Sequence, residues 1–176
     1  KAQEDWELVK HKNKIKVYTR KLPGSDYVAF KAVMSVNATD KQIISTLKAI
    51  TEYPNWFAYT ASTTLLKETS NQIHFVMETD YPWPYNNECM SYTMEFTKKE
   101  NGLHKITIAG TDQKTNCKQN LKKANGYILL KTDENQTKII YIFHSEPSQN
   151  IPPWVINPNI HEMPYKTFIA LRKTLS

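Results

Sequence analysis

The last third of the chain shows two hydrophobic patterns in succession. Two mainly apolar runs, residues 126–131 and 138–144, flank the turn-forming residues 132–136, which predicts a β-hairpin. From Pro158 onward the apolar residues recur every three or four positions, which predicts an amphipathic helix that ends the chain. Such a helix buries its apolar face against other structure, and the rest of the chain offers mainly strands. We therefore predict a sheet that packs on a terminal helix, and we expect function in the space between them.

The first two thirds of the chain alternate between predicted strands and one helix. Alternating apolar and polar residues predict seven strands, over residues 6–10, 15–20, 27–36, 63–67, 71–79, 88–97 and 103–110. A helix is predicted after the capping residues 37–40, and Pro54 ends it. With the closing hairpin the count is nine strands, enough for a strongly curved antiparallel sheet. No repeat or long linker interrupts the pattern, so we predict a single α+β domain over residues 1–176.

Alternation also predicts which side chains share a face of the sheet. The fifth strand places Ile73, Phe75, Met77 and Thr79 on one side, and the sixth places Met90, Tyr92, Met94 and Phe96 on one side. We expect both sets on the concave face, where Met77, Tyr92 and Met94 are candidates for lining a ligand cavity because methionine adapts to irregular contents. A solid core would use the same residue types, so that interpretation stays open for each side chain.

The charge of the chain bears on its partners. The formal net charge is +6 and the pI is about 9.2, but of 23 basic residues only Arg20 and Arg172 are arginines. Bidentate recognition of phosphates and base edges depends on arginine, so we expect no nucleic-acid partner. The scattered lysines are typical of a solvated surface, and weak attraction to acidic membrane headgroups is the alternative.

Compartment and assembly are open at this point. No run of about 18 uncharged apolar residues occurs, so no membrane-spanning helix is predicted. The chain opens on Lys1-Ala2-Gln3 without methionine, as removal of a signal peptide or trimming of a tag would leave it. An exported location, such as the periplasm, and the cytoplasm both stay open, and we expect a monomer.

Cys89 and Cys117 are the two cysteines of the chain. Their number is too small for a disulfide framework, and their spacing does not fit a zinc site. We interpret them as buried free thiols, which behave as small hydrophobic groups. A single bridge is the alternative if the protein is exported.

Motifs for catalysis or metal binding do not occur. His161-Glu162 begins a zinc-protease pattern, but Tyr165 stands where the second histidine would be. Four glycines leave no glycine-rich phosphate loop, and no nucleophile elbow occurs. His74, His104 and His144 lie on predicted strands, where we interpret them as structural or surface residues. We therefore predict no catalytic residue, no metal and no cofactor.

The loop of residues 80–87 carries three aromatic residues, Tyr81, Trp83 and Tyr85, between prolines. Rigid aromatics on a loop fit a gate over a cavity or contact with a membrane interface. Packing of the loop against the terminal helix is an equally good interpretation. Trp154, just before that helix, presents the same two alternatives.

Several of these features follow one another in an order that resembles a known family. They are Trp6, the stretch 17–20, Trp56, the Pro82-Trp83-Pro84 segment, the stretch 126–130, the strand 139–144, Ile151-Pro152 and the terminal helix. Over almost the whole chain this order resembles the START (StAR-related lipid-transfer) domain, in its bacterial single-domain form. The resemblance implies the helix-grip fold, in which a curved sheet and the C-terminal helix enclose a hydrophobic tunnel for one lipid or similar molecule.

The resemblance also bears on the predicted binding site, and the chain departs from the family pattern at one place. Many members have an Arg-Asp pair where this chain has Asn87-Glu88, so the arginine anchor of sterol-binding members cannot be carried over. Asp80 and Glu88 remain as acidic groups near the loop, and we interpret them as solvated. The predicted ligand-binding residues are Met77, Tyr81, Trp83, Glu88, Tyr92, Met94, Ile108, Met163 and Phe168.

Three functional classes follow from the sequence. The first is a noncatalytic carrier or sensor that binds a lipid or another hydrophobic molecule and touches a membrane surface transiently. The second is an enzyme, because proteins with the helix-grip architecture include polyketide cyclases and aromatases, and one fold supports many functions. The third is an interaction module that uses the aromatic loop to bind a protein. Polar groups that converge in the tunnel would favour chemistry, an apolar wall would favour carriage, and a filled interior would favour the interaction module.

Overall fold

A computed structural model describes residues 5–176 of the chain. Within these residues, nine strands form one antiparallel sheet with the order β1-β2-β3-β9-β8-β7-β6-β5-β4. The strands are β1 (Glu7–Lys12), β2 (Ile15–Arg20), β3 (Ala29–Val36), β4 (Thr60–Glu68), β5 (Gln72–Thr79), β6 (Glu88–Lys98), β7 (Leu103–Gly110), β8 (Lys123–Asp133) and β9 (Gln136–Glu146). The helices are α1 (Asp40–Lys48), α2 (Pro153–Ile156) and α3 (Glu162–Leu175). Short 3-10 helices span Ile50–Asn55 and Asn157–Asn159.

The predicted α+β helix-grip architecture is confirmed, including its nine strands. The closing hairpin β8–β9 is longer than predicted at both ends. β3 pairs with β9, with Phe30 opposite Phe143, so the N-terminal strands join the end of the chain in one sheet. This pairing brings the residues after β3 and after β9 to neighbouring positions, where the helices lie.

Helix α1 begins as the capping residues predict. The Gln42 N–H donates to Thr39 Oγ1 at 3.3 Å, and the Thr39 N–H donates to Gln42 Oε1 at 2.8 Å. This reciprocal pair is a capping box, which satisfies two backbone donors at the helix start. Ile43 and Leu47 are buried on one side of α1, which lies next to β8.

The terminal helix differs from the prediction at its start. Instead of one helix from Pro158, the chain forms α2, a 3-10 turn that contains Pro158, and then α3 from Glu162. Proline lacks a backbone N–H and is tolerated in the first turn of a helix, which is where Pro153 and Pro164 lie in α2 and α3. The apolar spacing continued through these residues, so it did not reveal the break.

Helix α3 is fixed to the rest of the molecule on two sides. Phe168 and Leu171 are buried in the core. At the β1–β2 turn, Arg172 Nη1 donates to the Asn13 carbonyl at 2.8 Å, and the Ala58 N–H donates to Thr167 Oγ1 at 3.1 Å from another side. These bonds hold the helix at a set distance from the sheet.

The prediction of free thiols is wrong. Cys89, at the start of β6, and Cys117, in the segment between β7 and β8, form a disulfide. Cys89 also exchanges backbone hydrogen bonds with Gln119 and Leu121, which brings this segment beside β6. Sequence spacing carries no information on such a contact, because the two residues meet only through the pairing of the segment with the first residues of β6.

Candidate functional site

A cavity of about 360 Å³ lies between the sheet and α3. Strand side chains form most of its wall, namely Phe30, Phe75, Met77, Thr79, Tyr92, Met94, Ile108, Tyr141, Phe143 and Ser145. The helical segments supply the opposite side with Tyr53, Phe57, Val155, Ile156, Ile160 and Met163. These side chains face one another because residues two apart on a strand share a face, and the predicted inward sets of β5 and β6 are the ones found here.

The cavity reaches the surface at the end of the sheet where the loop after β5 and the segment after β9 meet. Asp80, Pro82 and Asn159 line the cavity and are exposed. We call this end the mouth. Asp80 is the one charged residue that lines the cavity within residues 5–176.

Aromatic rings form a continuous layer inside the cavity. Tyr92 stacks on Phe75 at a centroid distance of 5.5 Å and lies 6.3 Å from Phe143. Tyr141 lies 6.0 Å from Phe143 and 6.3 Å from Phe168. Rings at these distances attract one another beyond their burial, so this part of the wall is well fixed.

The tyrosine hydroxyls of this layer are in different environments. The Tyr53 hydroxyl donates to the Leu47 carbonyl at 2.5 Å. Tyr92 and Tyr141 line the cavity, and no protein group within residues 5–176 accepts from their hydroxyls. Burial raises the pKa of all three phenols above the usual value, because the charged phenolate would lose its hydration. All three are therefore neutral hydrogen-bond donors at physiological pH.

Six of the nine predicted ligand-binding residues line the cavity, namely Met77, Tyr81, Tyr92, Met94, Ile108 and Met163. Tyr81 is the one aromatic side chain of loop 80–87 that turns inward to the cavity wall. Burial, and after it the nearby Glu88 carboxylate, raises the pKa of Tyr81.

Two of the other predicted residues, Trp83 and Phe168, lie near the cavity but do not line it. Trp83 is 92% exposed, so neither the cavity nor helix α3 buries its side chain. Phe168 is 2% exposed and stacks on Tyr141 from the helix side, which places it behind the wall. Phe168 therefore supports a lining residue instead of forming the lining.

The interpretation of Glu88 as a solvated carboxylate is wrong, and the residue is not on the cavity wall. Glu88 is fully buried. Its carboxylate accepts from the Ser148 N–H at 2.8 Å, the Gln149 N–H at 3.0 Å and Gln149 Nε2 at 2.8 Å. A buried carboxylate needs such donors to replace water. Glu88 thus fixes the segment that leads from β9 to α2.

Asn87, which stands where many family members have arginine, orders the loop 80–87. Its Nδ2 donates to Glu78 Oε2 at 2.8 Å and to Asp80 Oδ1 at 2.9 Å, and its Oδ1 accepts from the Tyr81 N–H at 3.3 Å. These bonds hold the loop in the conformation that turns Tyr81 inward.

Several lining residues were not singled out from the sequence. Tyr141 and Phe143 alternate with polar or outward residues along β9, so the same alternation that predicts the inward sets of β5 and β6 marks them as inward residues. Phe57, Val155 and Ile160 lie outside regular strands, and no periodic signal marks them as lining residues.

The buried histidine of β9 belongs to the other face of the sheet. His144 Nε2 lies 3.1 Å from Ser25 Oγ, 3.1 Å from the Tyr27 carbonyl and 3.8 Å from Glu146 Oε2. A catalytic triad uses both ring nitrogens, one toward the nucleophile and one toward the acid. Here every partner meets the same nitrogen, so these groups do not have the arrangement of a catalytic triad.

Glu78, Cys89 and Cys117 form the one group of three metal-ligand residue types that is close-set within residues 5–176. Metal binding by cysteine needs the thiolate, and the two sulfur atoms are bonded to each other.

Within residues 5–176, no helix is both long and apolar enough to cross a bilayer.

Comparisons with known proteins agree with this geometry. The model of the START domain family matches residues 1–176. The chain is 25% identical over 174 residues to the uncharacterised protein PA1579 of Pseudomonas aeruginosa, covering 96% of this chain and 86% of the relative. The crystal structure of a STAR-related lipid transfer protein fragment from Xanthomonas axonopodis superimposes with a TM-score of 0.91 at 26% identity, covering 98% of this chain and 99% of that one.

More distant structures share the fold alone. Human StAR-related lipid transfer protein 5 has a TM-score of 0.85 at 11% identity, covering 97% of this chain and 86% of that one. The Zhui aromatase/cyclase of a Streptomyces species has a TM-score of 0.56 at 11% identity, covering 84% of this chain and 90% of that one. A sheet that grips a helix around an apolar cavity, matched along its whole length by the family model, identifies the chain as a member of the START domain family, whose members bind lipids or other hydrophobic ligands.

Proposed function

We propose that the protein carries one lipid or similar hydrophobic molecule in its cavity, transfers it at a membrane surface, and performs no chemistry on it. The observation that carries this proposal is the apolar cavity between the sheet and α3. Burial of apolar ligand surface contributes about 25 cal/mol per Å² before the costs of binding are subtracted. A cavity with this lining therefore shields from water a molecule that is poorly soluble in it.

The mouth has features that favour contact with a membrane. Trp83 is 92% exposed and follows Tyr81 and Pro82, which line the cavity. Trp154 is 76% exposed and precedes Val155, which lines the cavity from the other side. Tryptophan is favoured at the boundary between lipid and water. Two exposed tryptophans beside one opening support docking of the mouth on a bilayer.

Exposed lysines lie at the same end of the sheet. The segment between β7 and β8 leaves the sheet at the end where the loop after β5 also lies, and it carries Lys114, Lys118 and Lys122, followed by Lys123 at the start of β8. Basic residues near a surface of anionic lipids are attracted to it. The lysines therefore support an orientation in which the mouth faces an acidic bilayer.

Carriage is favoured over catalysis by the composition of the wall. Acid–base chemistry needs groups whose protonation changes near the working pH and that lie within hydrogen-bond reach of the substrate. Within residues 5–176 the lining contains no histidine, and Asp80 lies at the exposed mouth. Burial raises the pKa of the interior tyrosines Tyr92 and Tyr141, so they stay protonated at neutral pH and supply no phenolate to act as a base.

The disulfide supports an exported location, and we propose that compartment over the cytoplasm. Disulfides persist in oxidising compartments such as the periplasm and are reduced in the cytosol. The bond between Cys89 and Cys117 would be kept only in the first.

Native mass spectrometry of freshly purified protein tests the carrier. We expect a reproducible added mass, identified by lipid extraction, that is lost in Met77→Trp, because the larger ring occupies the cavity from a half-buried wall position. Leu66→Trp on the exposed side of β4 is the matched control and should keep the added mass. Protein that is always empty and that ignores fatty acids, phospholipids and sterols would contradict the proposal.

Flotation with anionic vesicles tests the docking surface. Trp83→Ala combined with Trp154→Ala should reduce the vesicle-bound fraction, whereas Leu66→Ala, another exposed apolar residue, should not. Equal flotation of all three proteins would remove the membrane contact from the proposal and leave the cavity untouched.

A further inference from the structure

Two buried hydroxyls in the cavity lack a protein partner. Tyr92 is 6% exposed and Tyr141 is 4% exposed, and both line the cavity. Within residues 5–176 neither hydroxyl is hydrogen-bonded, and neither oxygen is among the polar atoms sealed by protein. The small surface that they keep is therefore open to the cavity. Tyr53, in the same layer, differs because its hydroxyl donates to the Leu47 carbonyl.

The two phenols approach the cavity from different parts of the sheet. Tyr92 is on β6 and Tyr141 is on β9, with β7 and β8 between them in the sheet order. The Phe143 ring lies between them, at 6.3 Å from the Tyr92 ring and 6.0 Å from the Tyr141 ring. Each phenol is held by aromatic contacts, so its hydroxyl has a set position before a ligand binds.

A buried hydroxyl without a partner costs free energy, because it has given up its hydrogen bonds to water. A ligand that places an oxygen acceptor near these hydroxyls would restore those bonds. A charged group in the same place would lose its hydration without meeting an opposite charge, since Asp80 at the mouth is the one charged lining residue of the described chain. The interior therefore fits an acceptor that is polar but uncharged.

We propose that Tyr92 and Tyr141 form a hydrogen-bond donor site for an uncharged oxygen acceptor, such as a carbonyl, on the hydrophobic ligand. This inference rests on the proposed carrier function and names the ligand class of the same cavity. It assigns the two tyrosines as specificity-determining residues, whereas the apolar wall supplies most of the affinity.

Three probes of equal size and different polarity test the site: dodecane, methyl nonyl ketone and undecylamine, which is a cation at neutral pH. Their affinities are measured by displacement of the fluorescent probe N-phenylnaphthylamine from lipid-free protein. We expect the ketone to bind more tightly than the amine by at least about ten-fold, because the amine carries a charge into an apolar cavity.

Removal of single oxygen atoms isolates the contribution of the hydroxyls. Tyr92→Phe and Tyr141→Phe should each weaken ketone binding by about three- to ten-fold, the effect of one net hydrogen bond. Dodecane binding should stay unchanged in both variants. Tyr165→Phe is the matched control: its hydroxyl accepts from Asn13 Nδ2 at 2.6 Å and Tyr165 does not line the cavity, so ketone affinity should stay at the wild-type value.

Thermal unfolding of the lipid-free variants gives a second readout. Removing an unpaired buried hydroxyl is neutral or stabilising, so Tyr92→Phe and Tyr141→Phe should keep or raise the Tm. Tyr53→Phe should lower it, because the Leu47 carbonyl loses its donor.

The outcomes distinguish failure of the donor site from failure of the proposed carrier function. Equal loss of ketone and dodecane binding in the Phe variants, or no loss of ketone binding, overturns the donor site and leaves the carrier in place. Tighter binding of the amine than of the ketone overturns the ligand class. Failure of every probe to bind overturns both the donor site and the carrier on which it rests.

Discussion

The concave face of the sheet is covered differently at its two ends. At the end nearer α1, the inward residues Ile106, Leu130 and Ile139 are at most 1% exposed and belong to a solid core with Ile43 and Leu47 of α1. At the other end, Ile108 of β7 and Tyr141 and Phe143 of β9 face the cavity. Both ends show the same apolar alternation, so the difference comes from what lies across from the sheet.

Truncation in the solid end should have the largest effect on stability. Leu130→Ala should lower the free energy of unfolding by about 4 kcal/mol, because it removes packed atoms and leaves a void. Met77→Ala at the hollow end should cost only about 1 kcal/mol, because that side chain already borders empty space. Urea unfolding followed by circular dichroism measures both. Equal losses would show that the cavity is filled in solution.

Loss of the disulfide should have the next largest effect. Cys89 and Cys117 are separated by 28 residues, and opening a loop of that length should lower the free energy of unfolding by about 3 kcal/mol. The variant Cys89→Ala/Cys117→Ala should match the wild-type protein in reductant, and reductant should not change the variant. A wild-type stability that is indifferent to reductant would show that the bond is not formed.

Glu88 tests how the hollow end is kept open. Glu88→Gln should lower the free energy of unfolding by about 2 kcal/mol, because an amide replaces a carboxylate that accepts three N–H groups in a buried site. Asp80→Asn, on the exposed side of the same loop, should change it by less than about 0.5 kcal/mol. Comparable effects of the two variants would contradict the anchoring role of Glu88.

The smallest expected effect is a pH dependence of stability that is caused by His144, on the outer face of the sheet. Burial lowers the pKa of His144 below 6.5, a shift that the Lys123 charge increases and that the Tyr27 carbonyl and Glu146 oppose. The unfolded chain then binds a proton more readily than the folded one, so stability should fall as the pH drops below 6.5 and level off below the folded pKa. His144→Gln should flatten this part of the curve of stability against pH. An unchanged curve would assign the dependence to other groups.

Much of the architecture could be predicted from the sequence. The nine strands, the capped helix α1 and the inward sets of β5 and β6 follow from alternation and capping, which are local properties. Lining by Met77, Tyr92 and Met94 follows from the same alternation. Tyr141 and Phe143 follow the same alternation on β9, so their inward direction was also predictable from the sequence.

Other features were beyond any local pattern. The disulfide depends on how the segment after β7 returns to β6, and the burial of Glu88 depends on Ser148 and Gln149, about sixty positions away along the chain. The break between α2 and α3 was masked because apolar spacing continued across Pro158. Whether Trp83 packs or projects depended on the shape of its loop, which Asn87 holds through contacts with Glu78 and Asp80.

The sequence by itself determined which side chains face inward, because a strand's two-residue period depends only on the order of residues along it. Tertiary structure alone decided which of those side chains meet a helix and which meet empty space. The physical reason is that alternation fixes only the direction in which a side chain points. A cavity depends on the distance between the sheet and the helices, which is set here by the anchors of α3 and by Glu88. Tyr53 and Tyr92 are both buried tyrosines, and the tertiary structure places a backbone carbonyl, that of Leu47, within reach of the Tyr53 hydroxyl alone.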